Sequence, residues 1–388
     1  MAGDEALVDV EQLKRDIDSQ NTTSNYNWKF ENGRRYASSE LGHYYMPNDE
    51  PEIQRLNEQH WILTQVKGGS LHFAPLPPAT EKASPKILDV GCGSGIWCVE
   101  MAEEYPSAMI IGMDISPIQP VQKPANVEWI TLDMESSSSS SSETPWPFPE
   151  NYFDLIHLSL VHGCISNWPT FTSKLTHHLA PGGWLEHQEF SLCKQYMLDT
   201  HTNLPLPMPP NPSDLLPFFR WNKLMEQAGL ARGRPLQLGP QLTSFQRAAG
   251  LENIQERVFA HKWGTWMEDE RERALGARTM VNTISGMEGF TTVLFTKTLG
   301  WSLEDTRGFI KEIKRDMRDD GIRKVVDLHV VWGQKRKDGG GIEKVLPRGR
   351  NGGNGWGGKV EQYASLGTGV VLGAVVTSLV SWWLMRRR

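Results

Sequence analysis

The chain has 388 residues, 39% of them hydrophobic and 22% charged, with a formal net charge of −6. That length accommodates one large α/β domain with extra segments, and the acidic balance excludes general nucleic-acid binding, which needs a basic field over much of a face. Four cysteines, Cys92, Cys98, Cys164 and Cys193, have neither metal-ligand spacing nor a dense disulfide pattern, so no metal is expected and a reducing, intracellular compartment is the simplest reading.

Residues 1–26 are polar and read as a disordered N-terminus. The opening Met1-Ala2-Gly3-Asp4-Glu5-Ala6 is acidic and lacks the apolar core of a secretory signal. From Trp28 to Pro77 the pattern is aromatic-rich and helical, with Ile53, Leu56, Trp61 and Leu63 approximating one helical face. This 27–84 segment is expected to be an N-terminal helical cap. It either forms part of a substrate lid or covers the sheet edge.

The α/β core is read over 85–190. Ile87-Leu88-Asp89-Val90 is a short buried strand, Gly91-Cys92-Gly93-Ser94-Gly95 a tight turn, and Ile96-Trp97-Cys98-Val99-Glu100-Met101 the start of a helix. Alternating glycines suit a ligand lying almost on the backbone, where a β-carbon would collide; an ordinary strand-to-helix turn is the plainer alternative. The dinucleotide fingerprint is G-x-G-x-x-G, whereas here the third glycine comes one position early. That spacing, with Asp89 two residues before Gly91, resembles motif I of class I S-adenosylmethionine (SAM) methyltransferases. Such a ligand carries a sulfonium rather than a pyrophosphate, so acids beside the turn are electrostatically sensible.

Residues 108–114 read as a second strand, ending in an acid 25 residues after Asp89, and 127–133 as a third. The serine run 136–142 has no side chains with which to build a core and reads as a solvated loop. A fourth strand is expected at 153–158, and Leu179-Ala180-Pro181-Gly182-Gly183 ends a helix before a fifth strand beginning Trp184-Leu185-Glu186-His187. Strands alternating with helices imply a parallel sheet with right-handed crossovers. Over 191–337 a substrate lid and the final strands are expected: a proline-rich stretch at 203–217, helices at 218–229, 268–282 and 303–318, and strands at 253–259 and 325–333. The fold class is therefore α/β, a Rossmann-like, seven-stranded, mostly parallel sheet with helices on both faces.

The acids at the carboxyl ends of successive strands are the expected cofactor ligands, because ligands bind there in open α/β sheets. Asp114 is placed to accept hydrogen bonds from ribose hydroxyls, its alternative being a helix N-cap. Asp133, followed by Met134, could accept from an adenine amino group or be a loop acid. The expected SAM-binding set is Asp89, Gly91, Gly93, Gly95, Asp114, Asp133 and Met134.

Residues 338–362 are rich in glycine, nine falling between Gly339 and Gly358, and read as a flexible linker. From Tyr363 to Met385 there are 23 residues without a charge, and the chain ends Arg386-Arg387-Arg388. About 20 apolar residues span a bilayer as a helix, so 363–385 is expected to be a transmembrane helix, a C-terminal tail anchor leaving the catalytic domain cytosolic. Gly369-x-x-x-Gly373 would let two such helices approach in a homodimer, although chance accounts for the pattern as well.

Several further motifs, Asn32-Gly33-Arg34-Arg35-Tyr36, Tyr45-Met46-Pro47-Asn48-Asp49-Glu50, Leu71-His72-Phe73-Ala74-Pro75-Leu76, Trp146-Pro147-Phe148-Pro149-Glu150-Asn151-Tyr152-Phe153-Asp154-Leu155-Ile156-His157, Pro181-Gly182-Gly183-Trp184-Leu185-Glu186 and His329-Val330-Val331-Trp332-Gly333-Gln334-Lys335, resemble the fungal LaeA-like (TAM-domain) methyltransferases. The resemblance implies SAM as cofactor. It also implies one of two roles: methylation of a metabolite within a biosynthetic gene cluster, or regulation of secondary metabolism in the nucleus. One departure is Leu158-Ser159-Leu160, where the family often has an arginine. Methyl transfer from a sulfonium can rest largely on alignment and exclusion of water, with a base helping if the acceptor is a hydroxyl. His162, Glu186 and His187 are the candidate catalytic residues, packing or hydrogen bonding being the alternative role of such histidines. Trp221, Trp263 and Trp266 line an apolar acceptor pocket or belong to the core. The expected function is methylation of an O or N atom of a lipophilic small molecule in fungal secondary metabolism, with a SAM-binding regulator as the alternative.

Overall fold

The computed structural model describes residues 26–37, 44–76, 84–135, 146–192, 196–207, 209 and 214–338. The expected polar N-terminus through residue 25, the serine run 136–142, the linker from 339 and the charge-free stretch 363–385 lie outside the described residues.

The described chain opens with a hairpin, β1 (Lys29–Glu31) and β2 (Arg34–Tyr36), where helix was expected. The reason is Asn32-Gly33: both residues have positive φ, +52° and +77°, and such a two-residue turn matches the twist of the flanking strands. Arg34 then grips Asp49 in a bidentate pair at 2.6 and 2.7 Å. Asp49 also caps the following helix, α1 (Glu50–Val66), by accepting from Glu52 N–H. Next to it, Asn48 Nδ2 donates to Ser116 Oγ at 3.0 Å, fastening this segment to the loop beyond the second parallel strand.

Five parallel strands follow: β3 (Lys86–Val90), β4 (Met109–Asp114), β5 (Val127–Thr131), β6 (Phe153–Ser159) and β7 (Leu179–Phe190). Helices α2 (Ile96–Glu104) and α3 (Trp168–His178) accompany them. A short strand, β8 (Tyr196–Leu198), precedes α4 (Pro217–Ala231), α5 (Leu242–Ala248), β9 (Glu252–Trp263), α6 (Glu270–Val293), α7 (Leu303–Met317) and β10 (Arg323–Gln334). The sheet runs β5-β4-β3-β6-β7-β10, with β8 and β9 both paired to β10. Among the described residues this sheet thus has eight strands against the seven expected, the extra one being β8 against Arg323, Lys324 and Val325. β10 is antiparallel to all its neighbours. The order reverses at β3/β6, so the crevice above those two carboxyl ends is where a ligand belongs.

Apolar side chains fill both faces. Phe153, Ile156, Trp168 and Phe171 sit in one cluster, and Trp97, Cys98, Met101 and Leu155 in another. A third cluster, built on Phe218, Phe219, Phe295 and Ile310, joins α4, α6 and α7 over the antiparallel half. Each fully buried phenylalanine there contributes about 1.5–3 kcal/mol, which holds the helical cover rigidly over the crevice.

The expectation of a fold with a transmembrane helix, and of a membrane localisation and membrane partner, is corrected here. Among the described residues no helix is long and apolar enough to cross a membrane. The 24-residue α6 has the length, but Glu270, Arg271, Glu272, Arg273, Arg278 and Glu288 interrupt it with charge, and each charge at a bilayer centre costs several kcal/mol.

Candidate active site

The turn after β3 is pinned to the end of β4, since Gly91 and Cys92 both donate their N–H to the Met113 carbonyl, at 2.8 and 3.0 Å. Gly91 has φ +75°, and a Cβ there would stand 2.7 Å from Val161 Cγ1. Gly95, at φ +81°, begins α2; its Cβ would lie 2.6 Å from the Trp129 ring. Gly91 and Gly93 line a cavity at the carboxyl ends of the strands, whereas Gly95 serves the packing of helix on Trp129.

Asp114 and Asp133 line the same cavity. Asp114 accepts from Gly93 N–H through Oδ2 and from Ser116 N–H through Oδ1, each at 2.9 Å. Burial pushes its carboxyl up to about 6, because the backbone N–H groups around it only partly offset the loss of water. Among the described residues no lysine or arginine pairs with it. Asp133 accepts from Glu135 N–H at 2.9 Å and is likewise raised by burial. Met134 lines the cavity with its side chain, while its carbonyl accepts from Trp146 Nε1 and Lys174 Nζ, which fixes that corner. Asp89 is elsewhere. Its Oδ1 pairs with His157 Nδ1 at 2.8 Å and its Oδ2 accepts from Cys98 Sγ at 3.6 Å, while the His157 ring stacks on Trp97 at 3.9 Å. Asp89 and His157 are register partners on adjacent strands, so their pairing ties the sheet to α2 rather than facing the cavity.

Beyond β6 the chain turns sharply at Leu160, whose φ is +52°, a strained value for a leucine of the kind that clusters at functional sites. Ser159, Leu160 and His162 line the cavity where an arginine was expected from the family pattern. His162 Nδ1 lies 2.9 Å from Glu189 Oε2, and His187 Nε2 lies 3.2 Å from Glu189 Oε1. Glu189 is fully buried. Burial pushes its carboxyl up, but the two imidazoles outweigh that and hold it below the usual carboxylate range. An ionised Glu189 only accepts, so His162 donates from Nδ1, and in the neutral ring the lone pair is then on Nε2. His187 does not line the cavity; it stacks on Trp168 at 5.1 Å.

Glu186 points the other way. Successive side chains of a strand alternate between faces, so Glu186 and His187 cannot act together, whereas His187 and Glu189 share a face. Glu186 Oε2 accepts the N–H groups of both Phe73 and Ala74 at 2.7 Å and secures the segment before β3. Glu186→Ala is expected to lower unfolding stability by about 1–3 kcal/mol for each N–H left bare, while Glu186→Gln, which keeps an acceptor oxygen, retains both fold and activity. Denaturant melts and transfer rates of the two variants check this; loss of activity in a stable Glu186→Gln would make Glu186 catalytic instead.

The cavity continues away from the glycine turn to a second wall formed by Phe190, Trp221, Trp263 and Phe290. From α1, Arg55, Leu56, Gln59, Ile62 and Leu63 close one side. Trp266 is not among the lining residues; its Nε1 donates to the Trp263 carbonyl. Glu189, His261 and Thr279 were not singled out from the sequence. The alternation of β7 could have found Glu189, but nothing local marks the other two.

Residues 64–232 match the methyltransferase domain family. "Secondary metabolism regulator LAE1" of Cochliobolus heterostrophus is 32% identical over 319 residues, covering 81% of this chain and 95% of that protein. "Methyltransferase pytC" of Aspergillus terreus is 32% identical over 335 residues, covering 84% and 95%. "Protein-methionine methyltransferase laeA" of Emericella nidulans is 29% identical over 311 residues, covering 79% and 76%. The chain belongs to the LaeA/pytC-like methyltransferase family. It is a SAM-dependent methyltransferase, and the acceptor of a methyltransferase of this family is a small molecule or a protein.

The cavity residues fit the SAM of this methyltransferase family. Asp114, an acid at the end of the second parallel strand whose burial no cation among the described residues offsets, suits a vicinal diol that donates two hydrogen bonds. An acidic wall of Asp114 and Asp133 suits a cationic ligand.

Proposed function

We propose that the chain methylates an O or N atom of a lipophilic small molecule. One observation carries this reading: a single cavity joins Gly91, Gly93, Asp114 and Asp133 at one end to an aromatic wall of Trp221, Trp263, Phe190 and Phe290 at the other, with His162 also on its wall. Gly91, Gly93, Asp114, Asp133 and Met134 hold the cofactor; Asp89 and Gly95 shape its turn from behind. The bound cofactor supplies a methyl group on a positively charged sulfur, already a good leaving group. The chain's part is then alignment, exclusion of water and custody of a proton. His162 Nε2 takes the proton of an acceptor hydroxyl as the new bond to carbon forms, and Glu189, through Nδ1–H, orients the ring and steadies the imidazolium.

The aromatic end gives affinity for apolar acceptors. Filling it should stop transfer without touching the donor site. Thr283→Trp on α6 is expected to cut methylation of small molecules in a cell extract roughly 100-fold and to leave SAM affinity within about twofold. Undiminished transfer to small molecules, or transfer to protein alone, would contradict the reading. A regulatory role acting through protein methylation is the second reading, favoured by the relatives named for regulation and for protein-methionine methylation.

A further inference from the structure

Two polar groups at the aromatic end are buried and have no hydrogen-bond partner among the described residues: His261 Nδ1 and Trp263 Nε1. Both residues line the cavity, and being two apart on β9 they face the same side. His261 is 3% exposed and Trp263 5%. A buried polar atom left bare costs about 1–3 kcal/mol, so a pair of them on a cavity wall marks a place where a ligand completes the bonding.

The protonation of His261 follows from its other nitrogen. Nε2 lies 2.9 Å from Thr279 Oγ1, and that hydroxyl donates its only proton to the Leu275 carbonyl at 2.9 Å, one turn back along α6. Nε2 therefore carries hydrogen and donates to Thr279, leaving Nδ1 with a lone pair. Burial drives the ring down to about 3, so it stays neutral at physiological pH and is an anchor, not a base. Trp263 Nε1 can only donate. The two rings lie 6.0 Å apart between centroids, and an acceptor on one with a donor on the other match one hydroxyl group, which gives a proton to the first and receives one from the second. Phe190, stacked on His261 at 5.5 Å, and Trp221 supply flat apolar surface beside them.

We propose that His261 and Trp263 form an anchoring subsite that selects uncharged, flat methyl acceptors bearing a hydroxyl group, held by donation to His261 Nδ1 and acceptance from Trp263 Nε1. This hydroxyl is distinct from the atom methylated beside His162. The inference rests on the aromatic end being the acceptor end.

The test uses the full chain saturated with S-adenosylhomocysteine and two matched probes, naphthol and its methyl ether, which share the ring but not the donor. Naphthol is expected to bind about 5-fold or more tightly than the ether, the worth of a neutral hydrogen bond in a site left unsatisfied. In His261→Phe the preference should fall to about one while SAM affinity holds. Equal binding of the probes by the parent protein, a preference surviving His261→Phe, or no binding of either probe overturns the inference. Should His261→Phe not fold, the parent protein decides: the ¹⁵N resonance of Nδ1 must be that of an unprotonated nitrogen and must move with naphthol but not with the ether. Intact transfer with no probe preference would overturn the subsite alone, whereas label appearing only in protein would overturn the small-molecule reading beneath it.

Discussion

Asp114→Ala is expected to weaken SAM binding by about 1.5–3 kcal/mol for each charged hydrogen bond lost, or at least tenfold, with the protein still folded. Its carboxylate already accepts from Gly93 and Ser116, so a small loss of loop order accompanies the loss of the diol contact. The parent protein should also show a pH signature. With the free-protein carboxyl raised by burial to about 6 from its ordinary value of 3.8, the protonated form is favoured by folding. The stability from this group is present at low pH and lost as pH rises through about 6. Cofactor binding needs the ionised form as acceptor, so affinity should fall as pH drops below about 6, and Asp114→Asn should lack that slope. Calorimetry across pH 5 to 8, a range chosen to bracket the carboxyl, checks both. Unchanged affinity in a folded Asp114→Ala would put the donor site elsewhere.

The second large effect falls on transfer rather than binding. His162→Ala is expected to slow methylation of a hydroxyl acceptor by about 10²–10⁴-fold with SAM affinity unchanged, because the ring meets the cavity and, among the described residues, its hydrogen-bond partner is Glu189. Glu189→Gln should lower kcat in the same direction without a matching rise in KM. It offers one acceptor oxygen to two imidazoles, so His162 loses its fixed tautomer in part of the population. Single-turnover transfer with calorimetry on the same samples separates the two effects. A His162→Ala protein that transfers at the parent rate would mean that alignment alone performs the reaction and that the His162–Glu189 pair is structural.

Much of the donor end could be read from residues in order along the chain. Leu88, Ile111 and Ile130 lie in short apolar runs that suit buried strands, and the acids after the second and third of them, Asp114 and Asp133, line one cavity at the carboxyl ends of the sheet. Local spacing also misleads. Asp89 stands beside the glycine turn in sequence, yet lateral pairing across the sheet delivers it to His157. Glu186 and His187 are both candidates by position along the chain, but strand alternation puts them on opposite faces, and Glu186 goes to the backbone of Phe73 and Ala74. The hairpin at Asn32-Gly33 falls in the aromatic-rich stretch from Trp28 that was expected to be helical, although the helical face itself lies further on, at Ile53 to Leu63. The acceptor end was least legible: His261 on β9 and Thr279 on α6 meet through the docking of a helix on a sheet edge, and no local pattern encodes that contact.

The measurement that bears most directly on this account follows a labelled methyl group. The full chain is given methyl-labelled SAM together with an organic extract of the cells that express it and, separately, with their protein. Label in a discrete organic-soluble, uncharged compound, lost in His162→Ala and Thr283→Trp, is the expected result. Label found only in protein would contradict it.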